Sequence, residues 1–243
     1  MTDTKSLEGR IALVTGASRG IGRAAAKALA QAGAHVILLA RTVGALEELD
    51  DEIQAAGGSA ATLLQLDLRK GEKVDALGPT IFQRWGKLDI LVGNAGVLGP
   101  MSPLGHVNAD AWAEVMEVNV NANWRLIRTL DPLLQRSEAG RAIFVSSGAA
   151  QARNAYMGPY AVSKAALEAL VKTYALEVAE SNVRVNMINP GPVRTMMRSR
   201  AFPGENPDTL PPPDALGALF VELAAAGCTT NGELYAFKRA AAT

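Results

Sequence analysis

Tyr160 and Lys164 bound the pentapeptide YAVSK. On a helix, a four-residue step puts both side chains on one face, where a phenol and an ammonium could work together as proton donor and counter-charge. A free phenol loses its proton near pH 10, so acting near neutrality requires about three pH units, or about 4 kcal/mol, of anion stabilisation. An exposed i,i+4 pair contributes only a few tenths of a kcal/mol. One cation about 4 Å away at an effective dielectric near 20 is worth about 4 kcal/mol. Pro159 marks a helix start just before Tyr160, whose dipole also favours an anion. Burial works in the opposite sense and raises a phenol. The pair is therefore expected to act only inside a partly enclosed site with several cations, and taken alone it also fits a solvated helix face.

The candidate for such a site begins with TGASRGIG, Thr15 to Gly22, directly after the apolar run RIALVT at 10–15. Gly16, Gly20 and Gly22 permit a tight turn and close backbone approach to a pyrophosphate, and the helix N-terminus beyond offers unpaired N–H groups. A carboxylate at the end of the second strand would bind the ribose diol of NAD, but that position holds Ala40 and Arg41. With Arg19 in the glycine loop, two guanidiniums suit a 2′-phosphate through charge-assisted forks, so NADP(H) is expected in preference to NAD(H). Two solvated surface arginines are the alternative. Asp67 ends LLQLD and could accept from an adenine amine or cap a turn. Asn94, Ala95 and Gly96 form a small-residue turn after the fourth apolar run. NPGPVRT, 189–195, follows the sixth, and Thr195 could bond a carboxamide or a phosphate.

These segments must be positioned by the runs before them: 10–15, 35–40, 61–66, 88–93, 141–146 and 183–188, with a weaker one at 233–237. All are near-continuous Val, Ile and Leu, as in strands buried on both faces of a parallel sheet. Helical patterns at 21–33, 45–57, 110–134 and 160–180 alternate with them. The expected fold is a doubly wound α/β parallel sheet in one Rossmann-type domain over 1–243, every motif lying beyond a strand's carboxyl end. RAFPGENPDTLPPP, 200–213, reads as a long surface loop, with a substrate lid expected over 196–213.

The chain balances 24 basic against 24 acidic side chains, which argues against a nucleic-acid or anionic-membrane surface. Its start is polar, its apolar stretch 215–228 is too short to span a bilayer, and Cys228 is its lone cysteine. A cytoplasmic protein without disulfides is expected. Two histidines, His35 and His106, have no metal-like spacing, so no metal site is expected.

TGASRGIG, NAG, VSS, YAVSK and NPG occur in the order and spacing of the short-chain dehydrogenase/reductase family, and the chain resembles that family from about Gly9 to Leu223. The resemblance implies nicotinamide-dependent hydride transfer between an alcohol and a carbonyl, commonly in a homotetramer or homodimer. It implies Tyr160 as the acid/base and Lys164 as its partner. Ser147, thirteen positions before Tyr160, becomes the serine that binds the carbonyl oxygen, with Ser146 as its competitor. Asn119 becomes the helix asparagine that holds a water in a proton relay. The implied cofactor wall takes Gly16, Ser18, Arg19, Gly20, Ile21 and Gly22 from the first loop. Arg41, Asp67 and Leu68 follow, then Asn94, Ala95 and Gly96. Pro190, Gly191, Val193 and Thr195 complete it with Tyr160 and Lys164. Two departures stand out: Gly93 where the family often has a second Asn, and a tail without a Gly-rich end.

The expected activity is an NADP-dependent carbonyl reductase acting on a small-molecule carbonyl or alcohol, with a non-catalytic NADP-binding regulator as the alternative. The mainly apolar candidates for the substrate wall are Val97, Leu98, Ala149, Gln151, Tyr156, Pro192, Val193, Met196 and Met197. They suggest a hydrophobic carbonyl compound. Arg153, Arg198 and Arg200 either recognise an acidic group or are solvated.

Overall fold

Ile11–Thr15 is buried at every position, and the reason is visible in where its side chains go. Ile11 and Leu13 join one apolar layer, while Ala12 and Val14 join the other. Ile37 and Leu39 against Val36 and Leu38, and Phe144 against Ile143 and Val145, repeat the split. Period-two alternation thus feeds two cores at once, and each large aliphatic side chain removed from water contributes about 1.5–3 kcal/mol.

The computed structural model describes residues 6–152 and 154–237. In chain order its elements are β1 (Ile11–Thr15), α1 (Gly20–Gln31), β2 (His35–Ala40), α2 (Gly44–Ala55), β3 (Thr62–Gln65), α3 (Gly71–Asp75), α4 (Leu77–Trp85), β4 (Ile90–Gly93), α5 (Ala109–Met116), α6 (Ala122–Leu134), β5 (Arg141–Val145), α7 (Ala149–Ala152), α8 (Gly158–Glu177), β6 (Arg184–Asn189), α9 (Met196–Ala201), α10 (Gly217–Ala224) and β7 (Leu234–Ala236). The strands form one sheet in the order β3-β2-β1-β4-β5-β6-β7, and every pairing is parallel. This is the expected doubly wound Rossmann-type sheet. The strand order reverses between β1 and β4, and the crevice beyond their carboxyl ends is where such sheets bind ligands.

The opposite edge of the sheet is locked. Asp89 is 2 % exposed; its carboxylate accepts the Ile11 N–H at 2.9 Å, the Ser137 hydroxyl at 2.5 Å and the Lys87 ammonium at 3.0 Å. Burial alone would raise this carboxyl, but the hydrogen bonds from Ser137 and Ile11 and the Lys87 charge hold it below the ordinary carboxylate value. Arg10 donates to the carbonyls of Ala224, Asp89 and Ala139, and Arg141 to those of Ala225, Gly140 and Ala226. The two guanidiniums thereby satisfy carbonyls left open at the end of α10.

Two expectations change. The helix expected over 110–134 runs 109–134 but holds a π-helical turn at Glu117–Asn121, because the side chain of Asn119 leaves the helix surface to bond a neighbouring loop. The segment 200–213 is built rather than loose. α9 enters it, a 3₁₀ turn covers Pro207–Thr209, and Arg198 forks onto Glu205 at 2.6 and 2.7 Å while lying 3.7 Å over the Phe202 ring. Arg153 and the tail 238–243 lie outside the described residues. No described helix is long and apolar enough to cross a membrane.

Candidate active site

A cavity of about 780 Å³ opens at the β1/β4 crevice. Its floor is the glycine loop. Gly16 and Gly20 have φ of 65° and 56°, the left-handed region that a side chain disfavours. A Cβ on Gly22 would meet the Gly16 carbonyl oxygen at 2.3 Å and Asn94 Nδ2 at 2.4 Å, so only glycine lets α1 start this close to β1. Asn94 Nδ2 donates to the Thr15 carbonyl at 2.9 Å, and the Thr15 hydroxyl accepts the N–H of Asn94 at 3.0 Å and of Ala95 at 3.1 Å. The asparagine therefore bolts the β4 turn to the glycine loop.

Gly16, Ser18, Arg19, Gly20 and Ile21 line the cavity. So do Arg41, Asp67, Leu68, Asn94, Ala95 and Gly96, and on the far side Tyr160, Lys164, Pro190 and Thr195. Arg19 and Arg41 are exposed there, and neither forms an ion pair among the described residues. Asp67 is gripped by the Arg69 guanidinium at 2.6–3.1 Å, which holds its carboxyl below the ordinary value. Gly22, Gly191, Asn119 and Ser147 are not among the lining residues: Gly22 and Asn119 are buried, Ser147 is half-buried and Gly191 is exposed, while Ser146 does line the cavity. The Val193 side chain is 3 % exposed and packs in the core beneath the loop, two residues after the turn at Gly191 (φ 62°). On the substrate side Val97, Leu98, Met196, Met197 and Arg200 reach the cavity. Gln151, Tyr156 and Pro192 do not, and Arg198 is taken by Glu205. Arg194, inside NPGPVRT, and Met101, five positions past NAG, also line it; neither is given a role by the sequence alone.

α8 begins with Pro159 in its first turn, and Tyr160 and Lys164 share its inner face at 8 % and 4 % exposure. Lys164 Nζ lies 5.8 Å from the Tyr160 ring centroid and donates to the Val145 carbonyl at 2.7 Å. Burial pulls the ammonium down to about 8, against the charge of Glu168, which raises it. Burial likewise raises the phenol, and a hydrogen bond with Ser147 works in the lowering direction. Protein groups by themselves thus set Tyr160 above its ordinary value.

The two serines divide. Ser147 acts on the phenol in the lowering direction and accepts the Ala149 N–H at 3.2 Å, whereas the Ser146 hydroxyl donates to Glu168 at 2.6 Å. Asn119 accepts the Val97 N–H at 2.8 Å and donates to the Val97 carbonyl and the Ser163 hydroxyl, both at 2.9 Å. Both amide hydrogens are therefore committed to the protein. Its backbone carbonyl accepts from Asn123 Nδ2 at 2.9 Å. A Cβ on Gly96 would stand 3.3 Å from Asn119 Oδ1 and 3.7 Å from Lys164 Nζ, so the loop backbone passes beside both. A glycine cradle, two guanidiniums without ion pairs among the described residues, and Tyr160 with Lys164 at one wall would fit a phosphorylated dinucleotide.

The short chain dehydrogenase family model matches residues 10–206; the chain belongs to that family. It is 41% identical over 219 residues to the uncharacterized oxidoreductase YciK of Escherichia coli (strain K12), covering 89% of this chain and 86% of that one. The 7alpha-hydroxysteroid dehydrogenase of the same strain is 36% identical over 194 residues, 80% of this chain and 75% of the relative. A short chain dehydrogenase from Shigella flexneri 2a str. 301, solved in complex with NADP, superposes with a TM-score of 0.92 at 38% identity, over 96% of this chain and 98% of that chain.

Proposed function

We propose that the protein is an NADP(H)-dependent carbonyl reductase or alcohol dehydrogenase. The observation that carries this reading is the buried Tyr160 phenol on the cavity wall, one helical turn from a buried Lys164. A bound nicotinamide supplies or takes the hydride. The remaining work falls to the chain. In reduction, Ser147 donates to the carbonyl oxygen of the substrate and Tyr160 gives it a proton, a contribution of roughly 10²–10⁴ in rate. Lys164 binds ribose hydroxyls and stabilises the phenolate left behind. Asn119 fixes the loop and helix that hold these groups in register.

NADP(H) over NAD(H) rests on Arg19 and Arg41 at the cavity wall, with no carboxylate at the end of β2. The Shigella relative's complex with NADP points the same way. The apolar surroundings of Tyr160, Leu98, Met157, Met197 and Phe202, favour a hydrophobic carbonyl compound, and the segment 196–213 serves as its lid. Exposed Trp124 on α6 and Val162 and Leu176 on α8 support a homodimer or homotetramer through these helices.

The test is NADPH oxidation with a panel of ketones, for wild type and Tyr160→Phe, with NADPH binding measured by fluorescence. Wild type should turn over and the Phe variant should bind NADPH without turnover. A Phe variant that keeps most of its kcat sinks the assignment, and wild type that binds but never turns over points instead to a regulator.

A further inference from the structure

Glu168 completes a series on α8: Tyr160, Lys164 and Glu168 lie at four-residue steps on the inner face. It is 8 % exposed, and the hydride-transfer reading gives it no part. A buried carboxylate is costly unless paired and hydrogen-bonded. Glu168 Oε1 accepts the Ser146 hydroxyl at 2.6 Å, and its charge acts on the Lys164 ammonium, buried one helical turn away on the same face, without a direct ion pair between them. Ser146 is joined to Ser147, and its N–H donates to the Ile188 carbonyl at 2.8 Å. One side chain thus touches both halves of the site, the lysine through charge and the serine through the strand end.

We propose that Glu168 is a positioning residue of this site, keeping the Lys164 ammonium charged and, through Ser146, seating the strand end that presents Ser147. The proposal rests on the hydride-transfer reading for its kinetic consequence but not for the coupling itself.

The surrounding charges are otherwise occupied. Lys172, the next turn along α8, is exposed. α7 has no charged residue in its span. In the π-helical turn Glu117 bonds Asn121. On α5 Glu114 pairs with Arg69, and Asp110 is exposed. On α6 Arg125 and Arg128 pair with Asp75, and Asp131 accepts from Tyr174. On β6 Arg184 bonds the carbonyls of Ser181 and Val183. Burial depresses a lone ammonium, so Glu168 offsets that depression within the site.

Glu168→Gln keeps an oxygen acceptor for Ser146 and removes the charge. The basic limb of its kcat/KM profile should move down by about one to two pH units; a limb superimposable on wild type overturns the proposal. Ser146→Ala keeps both charges and loses the tether: kcat should fall with the limb unmoved, and kinetics identical to wild type overturn the seating of Ser147. A third arm needs no turnover. Lys164→Met leaves Glu168 buried without its cation. Lys164→Met should melt below wild type at pH 7, and adding Glu168→Gln should recover much of the loss. Additive melting shifts overturn the coupling. An active Tyr160→Phe, by contrast, overturns only the hydride-transfer reading and leaves the melting result standing.

Discussion

Asn119 donates to the Ser163 hydroxyl at 2.9 Å, and Ser163 passes the constraint on by donating to the Tyr160 carbonyl at 2.8 Å. The asparagine also spans both polar groups of Val97, so one side chain ties a cavity loop, a π-helical turn and the acid-bearing helix together. Each buried group orphaned by its loss costs about 1–3 kcal/mol. Asn119→Ala should lower the melting temperature and reduce kcat by about 10²-fold through misplacement of Tyr160. Kinetics with a saturating ketone check this; an unchanged kcat in a folded variant removes Asn119 from the positioning machinery.

Arg41 and Arg19 give the cofactor preference a direct measurement. A guanidinium–phosphate bond contributes about 1.5–3 kcal/mol, so Arg41→Asp should shift the ratio of kcat/KM for NADPH over NADH by about 10- to 100-fold toward NADH. Arg19→Ala should move it the same way. An unmoved ratio in both variants would falsify the 2′-phosphate assignment.

Gly22 has no room for a methyl group, with contacts of 2.3 and 2.4 Å awaiting its Cβ, whereas Gly44 at the start of α2 has nothing within 4 Å. Gly22→Ala should cost about 1–3 kcal/mol of stability and weaken NADPH binding. Gly44→Ala should melt at or slightly above wild type. Calorimetry on the pair decides it: equal melting temperatures would mean that the glycine loop is looser than its contacts imply.

Asp89 makes stability depend on acid pH. Its folded carboxyl lies below its ordinary value, so its contribution is complete above the unfolded value, about 3.9, and is lost as pH falls through the folded one. Asp89→Asn should melt below wild type at pH 7, and the two melting curves should converge below about pH 4. A constant gap down to pH 3 would show that the carboxylate charge is not what stabilises this edge.

The sheet was legible because its strands are buried on both faces, so runs such as IALVT need no interpretation of alternation. The glycine loop, Arg41 and the Tyr160–Lys164 step were legible because each residue type is dictated locally, by backbone conformation or by spacing along one helix. The π-helical turn was not, since Asn119 within it exchanges hydrogen bonds with the backbone of Val97, 22 residues away. The burial of the Val193 side chain was not legible, because a motif fixes a loop's position but not which side chains turn inward. Proline and glycine at 203–213 announced a loop and concealed the Arg198–Glu205 fork that organises it. Nothing in the sequence singles out Glu168, because its burial and its Ser146 contact both depend on the end of β5.

The sheet's two edges are built on opposite terms. Arg10, Arg141 and Asp89 rivet the amino-terminal edge with bonds that reach β1, β4, β5 and α10 together, so a change there is felt throughout the molecule. The other edge ends in separate loops, and Met101, Met196, Met197 and Arg200 on the cavity wall take no part in those rivets. A lineage carrying this chain can therefore exchange residues around the cavity mouth, and with them the compounds it accepts, while the frame that makes the chemistry possible is inherited intact.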